Sequence, residues 1–223
     1  MKHVWRNVSL VLCSTLLAWF VLAVPAAGQG MERARNGFYI GGFYASLGLG
    51  GGFNGTDVLT DAEETIIIPK LQTASGFGIV FGRRTGDLGI DITFQQTKHD
   101  AFWQGFVERS TNNVIELNVK YFMMRRSMVQ PFLLLGLGGD WFTVPNGSAS
   151  DTDVGDASYR GFTFTPGCGL AFYVVPRVSL SVSAGYRFML LGMAKGVAGT
   201  FKNIEDTTIG SGLNFTAGMT VTF

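Results

Sequence analysis

Apolar residues recur at every second position along much of this chain, with small or polar residues between them. The C-terminal end shows the pattern without interruption, because apolar side chains at positions 213, 215, 217, 219, 221 and 223 alternate with Gly, Asn and Thr. A period of two is that of a β-strand with one apolar face. Since a strand that ends a chain leaves an unpaired edge, the pattern favours a closed barrel in which the last strand meets the first.

Alternating stretches of this kind recur along the sequence. They lie at about 38–49, 73–83, 88–98, 112–123, 131–142, 161–174, 177–188 and 209–223. The connections alternate between short ones, at 84–87, 124–130 and 175–176, and long ones, at 50–72, 99–111, 143–160 and 189–208. This alternation is typical of transmembrane barrels with tight periplasmic turns and long external loops. The sequence therefore predicts an all-β fold, an eight-stranded antiparallel up-and-down transmembrane β-barrel.

One face of each stretch is assigned to lipid and the other to the lumen. In the first stretch the lipid face comprises Phe43, Ala45, Leu47 and Leu49, and the lumen face comprises Tyr44, Ser46 and Gly48. In the later stretches large apolar residues face lipid, and Gly, Ser, Thr and charged residues face the lumen. Alternation alone also fits a soluble barrel of the lipocalin type, with the apolar face inside. Charges on the glycine-rich face and aromatic residues grouped at strand ends favour the membrane barrel.

The aromatic residues at strand ends predict two girdles at the membrane boundaries. The periplasmic girdle comprises Phe81, Tyr121, Phe172 and Phe223. The external girdle comprises Trp141, Phe164 and Tyr186.

Five charged residues fall on the predicted lumen face, and they are Asp91, Glu116, Lys120, Asp140 and Arg187. A charge in a narrow lumen must be paired or solvated. Counting residues up from the periplasmic ends predicts that Asp91 pairs with Lys120 and that Asp140 pairs with Arg187. Such pairs either fill and rigidify the barrel or line a small conductive path.

The N-terminus predicts a signal peptide over residues 1–28, followed by a short periplasmic segment at 29–36 and the barrel at 37–223. A basic start is followed by an apolar run and small residues suited to cleavage; the alternative is an N-terminal membrane anchor.

The chain has 17 Lys and Arg and 16 Asp and Glu, so removal of Lys2 and Arg6 leaves 15 and 16, a net charge of −1. This charge balance argues against nucleic-acid binding. The mature chain keeps one cysteine, Cys168, so an internal disulfide is excluded.

The chemistry-bearing residues give little support for an enzyme, a metal site or a cofactor. The mature chain has one histidine, His99, which we place in a solvated external loop beside Lys98 and Asp100. Acyl-chain chemistry needs a nucleophile beside a base and an acid that orients it, and the sequence shows no such pattern. The acidic run 151–156 lacks the spacing and the closing glutamate of a calcium loop.

Residues 37–223 resemble the small OmpA/OmpX-like outer-membrane β-barrel family. The resemblance rests on GFYIGG at 37–42, GCGLAFY at 167–173, SLSVSAGYR at 179–187 and the terminal strand. It implies residence in the outer membrane of a Gram-negative-type bacterium, with outer-membrane lipid and lipopolysaccharide as neighbours. It also implies that the barrel-assembly machinery recognises the C-terminal strand, with Met219, Val221 and Phe223 as the signal.

The sequence thus predicts a monomeric, non-enzymatic outer-membrane protein that acts through its external loops, in adhesion, envelope integrity or as a surface antigen. Function then depends on loops held by a rigid scaffold. The alternative is a small ion or solute channel through a glycine-rich lumen. No cofactor is expected, and the surface ligand is left open.

Overall fold

The structure is a computed structural model that describes residues 36–53, 56–60, 64–103, 106–149, 154–196 and 201–223. The predicted signal peptide lies outside the described residues. Within them the chain forms twelve strands. Their bounds are Gly37–Leu47 (β1), Gly50–Gly51 (β2), Thr56–Thr60 (β3), Glu64–Ile68 (β4), Lys70–Leu71 (β5), Ala74–Thr85 (β6), Leu88–Trp103 (β7), Phe106–Phe122 (β8), Val129–Ala149 (β9), Val154–Val175 (β10), Val178–Lys195 (β11) and Lys202–Thr222 (β12). No helix in these ranges is long and apolar enough to cross a membrane.

The long strands close into a ring. They pair antiparallel in the order β1, β6, β7, β8, β9, β10, β11, β12. β12 then pairs with β1, from Tyr39 opposite Thr222 to Leu47 opposite Asn214. The predicted eight-stranded antiparallel barrel is confirmed, and its C-terminal strand is paired on both sides.

Tight turns join the strands at one end of the barrel. Gly86, in the turn between β6 and β7, has a φ of 64°, which glycine adopts at little cost. Its N–H donates to the side-chain oxygen of Asn36 over 2.8 Å. The other turns at this end lie between β8 and β9 and at 176–177.

At the opposite end the strands run far into the predicted loops. β9, β10 and β12 contain 21, 22 and 21 residues, whereas about 9–11 residues suffice to cross a bilayer. The loop predictions at 99–111, 143–160 and 189–208 are therefore wrong for most of their length. The sheet thus continues well beyond the length that crossing a bilayer requires, because neighbouring strands still pair there.

The connection between β1 and β6 crosses the mouth of the barrel at the end opposite the tight turns, the end that the sequence predicts to be external; we call residues 50–71 the mouth segment. It first adds β2 to β12, with Gly51 opposite Gly210. It then forms the β3–β4 hairpin, and Thr65 of β4 pairs with Ala149 of β9. β9 lies opposite β1 in the ring, so the segment spans the opening before β5 returns it to β7.

Outward-facing side chains in β6 to β12 form an apolar belt, as the alternation predicts. Exposed members include Ile79, Ile92, Leu117, Leu135, Leu180 and Phe215. In β1 the predicted faces are wrong. Ala45, Leu47 and Leu49 are buried inside the barrel, while Ile40 and Tyr44 are exposed on the outer surface.

The error in β1 has a physical cause, because the apolar face changes sides partway up the barrel. In β9, Leu135 and Leu137 face outward, whereas Phe142 and Val144, higher on the same strand, are fully buried. The neighbouring outward position at that height is Thr143. Alternating apolar residues in the upper barrel therefore mark its interior.

The inward side chains of the upper barrel pack into one group, which we call the upper apolar cluster. Its members are Leu47, Leu49, Phe53, Leu71, Ala101, Phe142, Val144, Ala157, Tyr159, Met189, Leu191 and Ala194. The Phe142 ring lies 5.8 Å from the Phe53 ring and 6.1 Å from the Tyr159 ring, measured between centroids. Because Phe53 and Leu71 belong to the mouth segment, the cluster anchors that segment and fills the external end of the lumen.

Replacing Phe142 by alanine is expected to lower the free energy of unfolding by about 3–5 kcal/mol, because the change opens a cavity in a packed core. Urea unfolding in lipid vesicles measures the loss. Leu135→Ala is the matched control, since Leu135 faces outward and lipid can occupy the space that it leaves. Equal losses in the two variants would contradict an apolar core above the belt.

Candidate functional site in the barrel lumen

A buried ion pair crosses the middle of the lumen. Arg187 of β11 donates from Nη2 to Glu116 Oε2 of β8 over 2.8 Å and from Nε to Glu116 Oε1 over 3.2 Å. Both residues are almost fully buried. This two-point geometry is the strong form of an arginine–carboxylate contact.

Neutral polar residues extend the pair across further strands. Thr165 of β10 donates to Glu116 Oε1 over 2.6 Å, and Arg187 Nη2 donates to Gln95 Oε1 of β7 over 3.2 Å. Gln95 in turn donates to Asn214 Oδ1 of β12 over 3.4 Å. This layer therefore connects strands on opposite sides of the ring and blocks the lumen at its centre.

The predicted pairing of Arg187 with Asp140 is wrong. Asp140 faces inward and is buried, but neither of its carboxylate oxygens accepts a hydrogen bond from the described residues. Counting residues up from each strand end ignores the stagger between tilted strands. Asp140 lies opposite Val114, and Gly138 lies opposite Glu116, so the two acids occupy different heights.

A second polar layer lies nearer the end with tight turns. Lys120 Nζ lies 2.8 Å from Asp91 Oδ2, the contact expected from the sequence. The same carboxylate accepts a hydrogen bond from Tyr39 OH over 2.5 Å and one from Asn118 Nδ2 over 3.1 Å. Asp91 is thus buried with three donors around it, which offsets the cost of removing its charge from water.

The lowest layer centres on Arg84, which the sequence analysis placed in a turn. Its guanidinium lies 3.9 Å from the centroid of the Phe122 ring and donates to Tyr173 OH over 2.5 Å. Its Nε donates to the carbonyl oxygen of Gly86 over 2.9 Å. Arg84 shares the inward parity of Val80 and Gly82 in β6, and that parity was the signal that could have revealed it.

His99 is buried in the lumen, so its placement in a solvated loop was wrong. Its ring nitrogens lie 3.1 Å from Thr97 Oγ1 and 3.0 Å from the carbonyl oxygen of Gln72. Its ring contacts Phe142 of the upper apolar cluster, with the two centroids 6.1 Å apart. Ser110 donates to the backbone carbonyl of His99 over 3.1 Å. His99 therefore joins Gln72, the residue that follows the mouth segment, to the barrel wall.

Two small cavities lie between these layers. One of about 70 Å³ lies between the Arg187 layer and Lys120, and one of about 40 Å³ lies between Lys120 and Arg84. Spaces of this size hold a few water molecules. In the described part of the barrel, the polar layers and the upper apolar cluster thus cross the lumen at successive heights.

The predicted girdle residues all lie on the outer surface. Phe81, Tyr121 and Phe223 are exposed near the turn end, and Phe172 is half-buried there. At the other end of the belt Trp141 packs near Phe94, and the Phe188 ring lies between Phe164 and Tyr186.

The C-terminal residue closes the seam of the barrel. The Phe223 N–H donates to the carbonyl oxygen of Phe38 over 2.9 Å. Met219 and Val221, the other residues of the expected assembly signal, face outward on the same strand. These three residues thus lie on the outer face beside the turn end.

Among the described residues no group of three or more His, Cys, Asp or Glu side chains is arranged to hold a metal ion. Asp151 and Asp153 of the acidic run lie outside the described residues.

No protein-family model and no curated protein matches the sequence. Solved structures match in fold. The outer membrane protein AlkL is 14% identical, with 89% of this chain and 94% of that chain covered and a TM-score of 0.51. A major outer membrane protein from Thermus thermophilus is 13% identical, with 83% and 99% covered and a TM-score of 0.50. OprG from Pseudomonas aeruginosa is 13% identical, with 84% and 96% covered and a TM-score of 0.49.

Proposed function

We propose that this chain, which has the fold of the small outer-membrane β-barrel proteins, is a non-enzymatic surface protein that acts through its external end. The observation that carries the proposal is the closed lumen. Arg84, the Arg187–Glu116 pair and the upper apolar cluster fill it at successive heights. The external strands and the described parts of the mouth segment, in contrast, form a platform beyond the belt, which contacts a host surface, lipopolysaccharide or another protein.

A channel is the second candidate, and the two cavities favour it. They share Lys120 and Phe132 as lining residues. Conduction would require both arginine layers and the upper apolar cluster to open. Each of these is held by contacts between several strands, so the geometry supports the closed barrel better.

Hydrolase chemistry gains no support from His99. Its ring nitrogens contact the Thr97 hydroxyl and the Gln72 carbonyl, while the Ser110 hydroxyl is bound to the His99 backbone. A triad needs the histidine to receive a proton from the nucleophile and to be oriented by an acid. Here the Gln72 carbonyl, and not an acid, takes the orienting position, and Thr97 and His99 are both buried, so a substrate has no access to them.

The purified barrel is expected to show no steady ionic current in planar bilayers. The Arg187→Ala, Glu116→Ala double variant is also expected to stay closed, because the Arg84 layer and the upper apolar cluster remain. Single-channel recording at fixed voltage tests both proteins. A stable ohmic current through the wild type would overturn the closed-lumen proposal and favour the channel.

The loop-centred role is tested by removing the platform while keeping the barrel. Residues 54–68 are replaced by a short Gly-Ser linker, which retains Phe53 and Leu71 in the cluster. Cells that display this variant should adhere less to epithelial monolayers and resist serum or detergent less than cells with the wild type. The matched control changes Arg126 in a turn at the other end to serine. The proposal would be contradicted if the variant with residues 54–68 replaced showed unchanged adhesion and resistance at the same amount of protein on the cell surface as the wild type.

A further inference from the structure

An open groove lies on the outer wall where β9 and β10 meet, at the upper edge of the apolar belt. Its volume is about 560 Å³. Gly139 forms part of its floor, Trp141 and Phe201 are apolar walls, and Arg160 supplies a charge. The hydroxyls of Thr143 and Ser158 lie 3.5 Å apart on its upper side. The groove therefore combines a cation and hydroxyls with aromatic walls.

The charge in the groove is available to an external anion. The Arg160 guanidinium stacks 3.9 Å from the centroid of the Phe201 ring, and the Arg160 side chain is exposed. Among the described residues no carboxylate forms an ion pair with it. Asp140 of β9 also borders the groove, but its carboxyl group is buried on the lumen side of the strand.

The surface below the groove is apolar. Phe162 and Leu137 face outward there and are exposed. Over a few residues along the strands, the outer surface thus changes from apolar side chains suited to acyl chains to a guanidinium group and hydroxyl groups. A molecule with an anionic head and hydrocarbon chains has this same order of groups, since its head lies at the membrane surface and its chains lie in the hydrocarbon.

We propose that this groove binds a phosphate of the lipid A part of lipopolysaccharide, with Arg160 contacting the phosphate and an acyl chain lying against Trp141 and Phe162. The commitment to lipid A follows from the position of the groove at the external end, where the long strands emerge. The proposal rests on outer-membrane placement and is independent of any adhesive role of the mouth segment.

Fluorescence of Trp141 provides the test, in full-length mature protein carrying Trp103→Phe. The protein is reconstituted in vesicles of phosphatidylcholine brominated on its acyl chains, which quench nearby tryptophan. Unbrominated lipid A is then added, and relief of quenching reports displacement of phosphatidylcholine from the groove. Bisphosphorylated lipid A should bind about fivefold more tightly than its dephosphorylated form, the size expected for one basic side chain near the surface. Equal displacement by the two forms would overturn the proposal.

Two pairs of variants locate the effect. Arg160→Gln should abolish the phosphate preference, whereas Arg83→Gln should retain it. Arg83 is the matched control because it also lies over an aromatic ring, 5.3 Å from the Phe38 centroid, but at the turn end.

Gly139→Leu should block lipid A from the groove, because a β-carbon at Gly139 meets only the Gly161 carbonyl oxygen at 3.6 Å and so leaves room for the side chain. Gly42→Leu is its control on β1, where a β-carbon meets only the Gly78 carbonyl oxygen at 3.8 Å.

Each variant is compared with itself in unbrominated vesicles, and its folding is checked by heat-dependent gel mobility. A folded Arg160→Gln protein that keeps the fivefold preference would overturn the role of Arg160. Displacement by phosphatidylglycerol as strong as by bisphosphorylated lipid A would overturn the commitment to lipid A and indicate a general anionic-lipid site.

Discussion

Arg187→Ala is expected to lower the free energy of unfolding by about 3–5 kcal/mol. The change leaves the Glu116 carboxylate buried and without its bidentate partner. It also removes the donor to Gln95, and so weakens the link between β7 and β11. Reversible urea unfolding in lipid vesicles, followed by tryptophan fluorescence, measures the loss.

A double-mutant cycle separates the pair from its surroundings. Arg187→Ala combined with Glu116→Ala should lose less than Arg187→Ala alone, because no unpaired charge remains. The same cycle with Asp140→Ala should show a smaller coupling energy, since Asp140 makes no hydrogen bond to Arg187. Arg187→Lys keeps the charge but not the two-point contact, so an intermediate loss is expected. A larger coupling with Asp140 than with Glu116 would show that the ion pair is assigned to the wrong carboxylate.

Deletion of Phe223 is expected to reduce the outer-membrane level of the protein severalfold while changing the stability of the assembled barrel much less. The deletion removes one exposed aromatic side chain and one backbone hydrogen bond to Phe38, which together contribute at most a few kcal/mol. The terminal strand end, in contrast, is what the resemblance to outer-membrane barrels identifies as the assembly signal. Unassembled chain should therefore accumulate in the periplasm.

Phe215→Ala serves as the matched control, because Phe215 is exposed on the outer face of the same strand but lies away from its end. Cell fractionation gives the assembled amount, and urea unfolding of purified protein gives the stability. If truncation and wild type reached the same outer-membrane level, or if Phe215→Ala reduced the level as much as the truncation, Phe223 would have no special role in assembly.

The strand alternation was enough to predict the closed barrel, but not which lumen residues meet. The prediction for β6 to β12 succeeded because the outward face of each of these strands is apolar along the belt. It failed at Arg187 because pairing across the lumen depends on the stagger of strands that are not neighbours in sequence. Arg84 and His99 were misplaced for a related reason. Charged residues near strand ends suggest loops, although here their side chains point inward and have buried partners.

The error in β1 reveals a further limit. Ala45 and Leu47 alternate as lipid-facing residues do, but they belong to the upper barrel, whose interior is apolar. Alternation reports which face is buried from water without saying whether lipid or protein buries it. The polar outward positions at the same height, such as Thr143 and Arg160, carry the missing information, but only once the strand pairing is known.

The exchange of apolar and polar faces sets how deep the barrel lies in the bilayer. A shift towards the periplasm would bring Arg160 and Thr143 into hydrocarbon, and a charge there is costly. A shift outward would expose Leu137 and Phe162 to water. Both displacements raise the free energy, so the barrel has one preferred depth. A bilayer thinner or thicker than the belt should then deform around the protein.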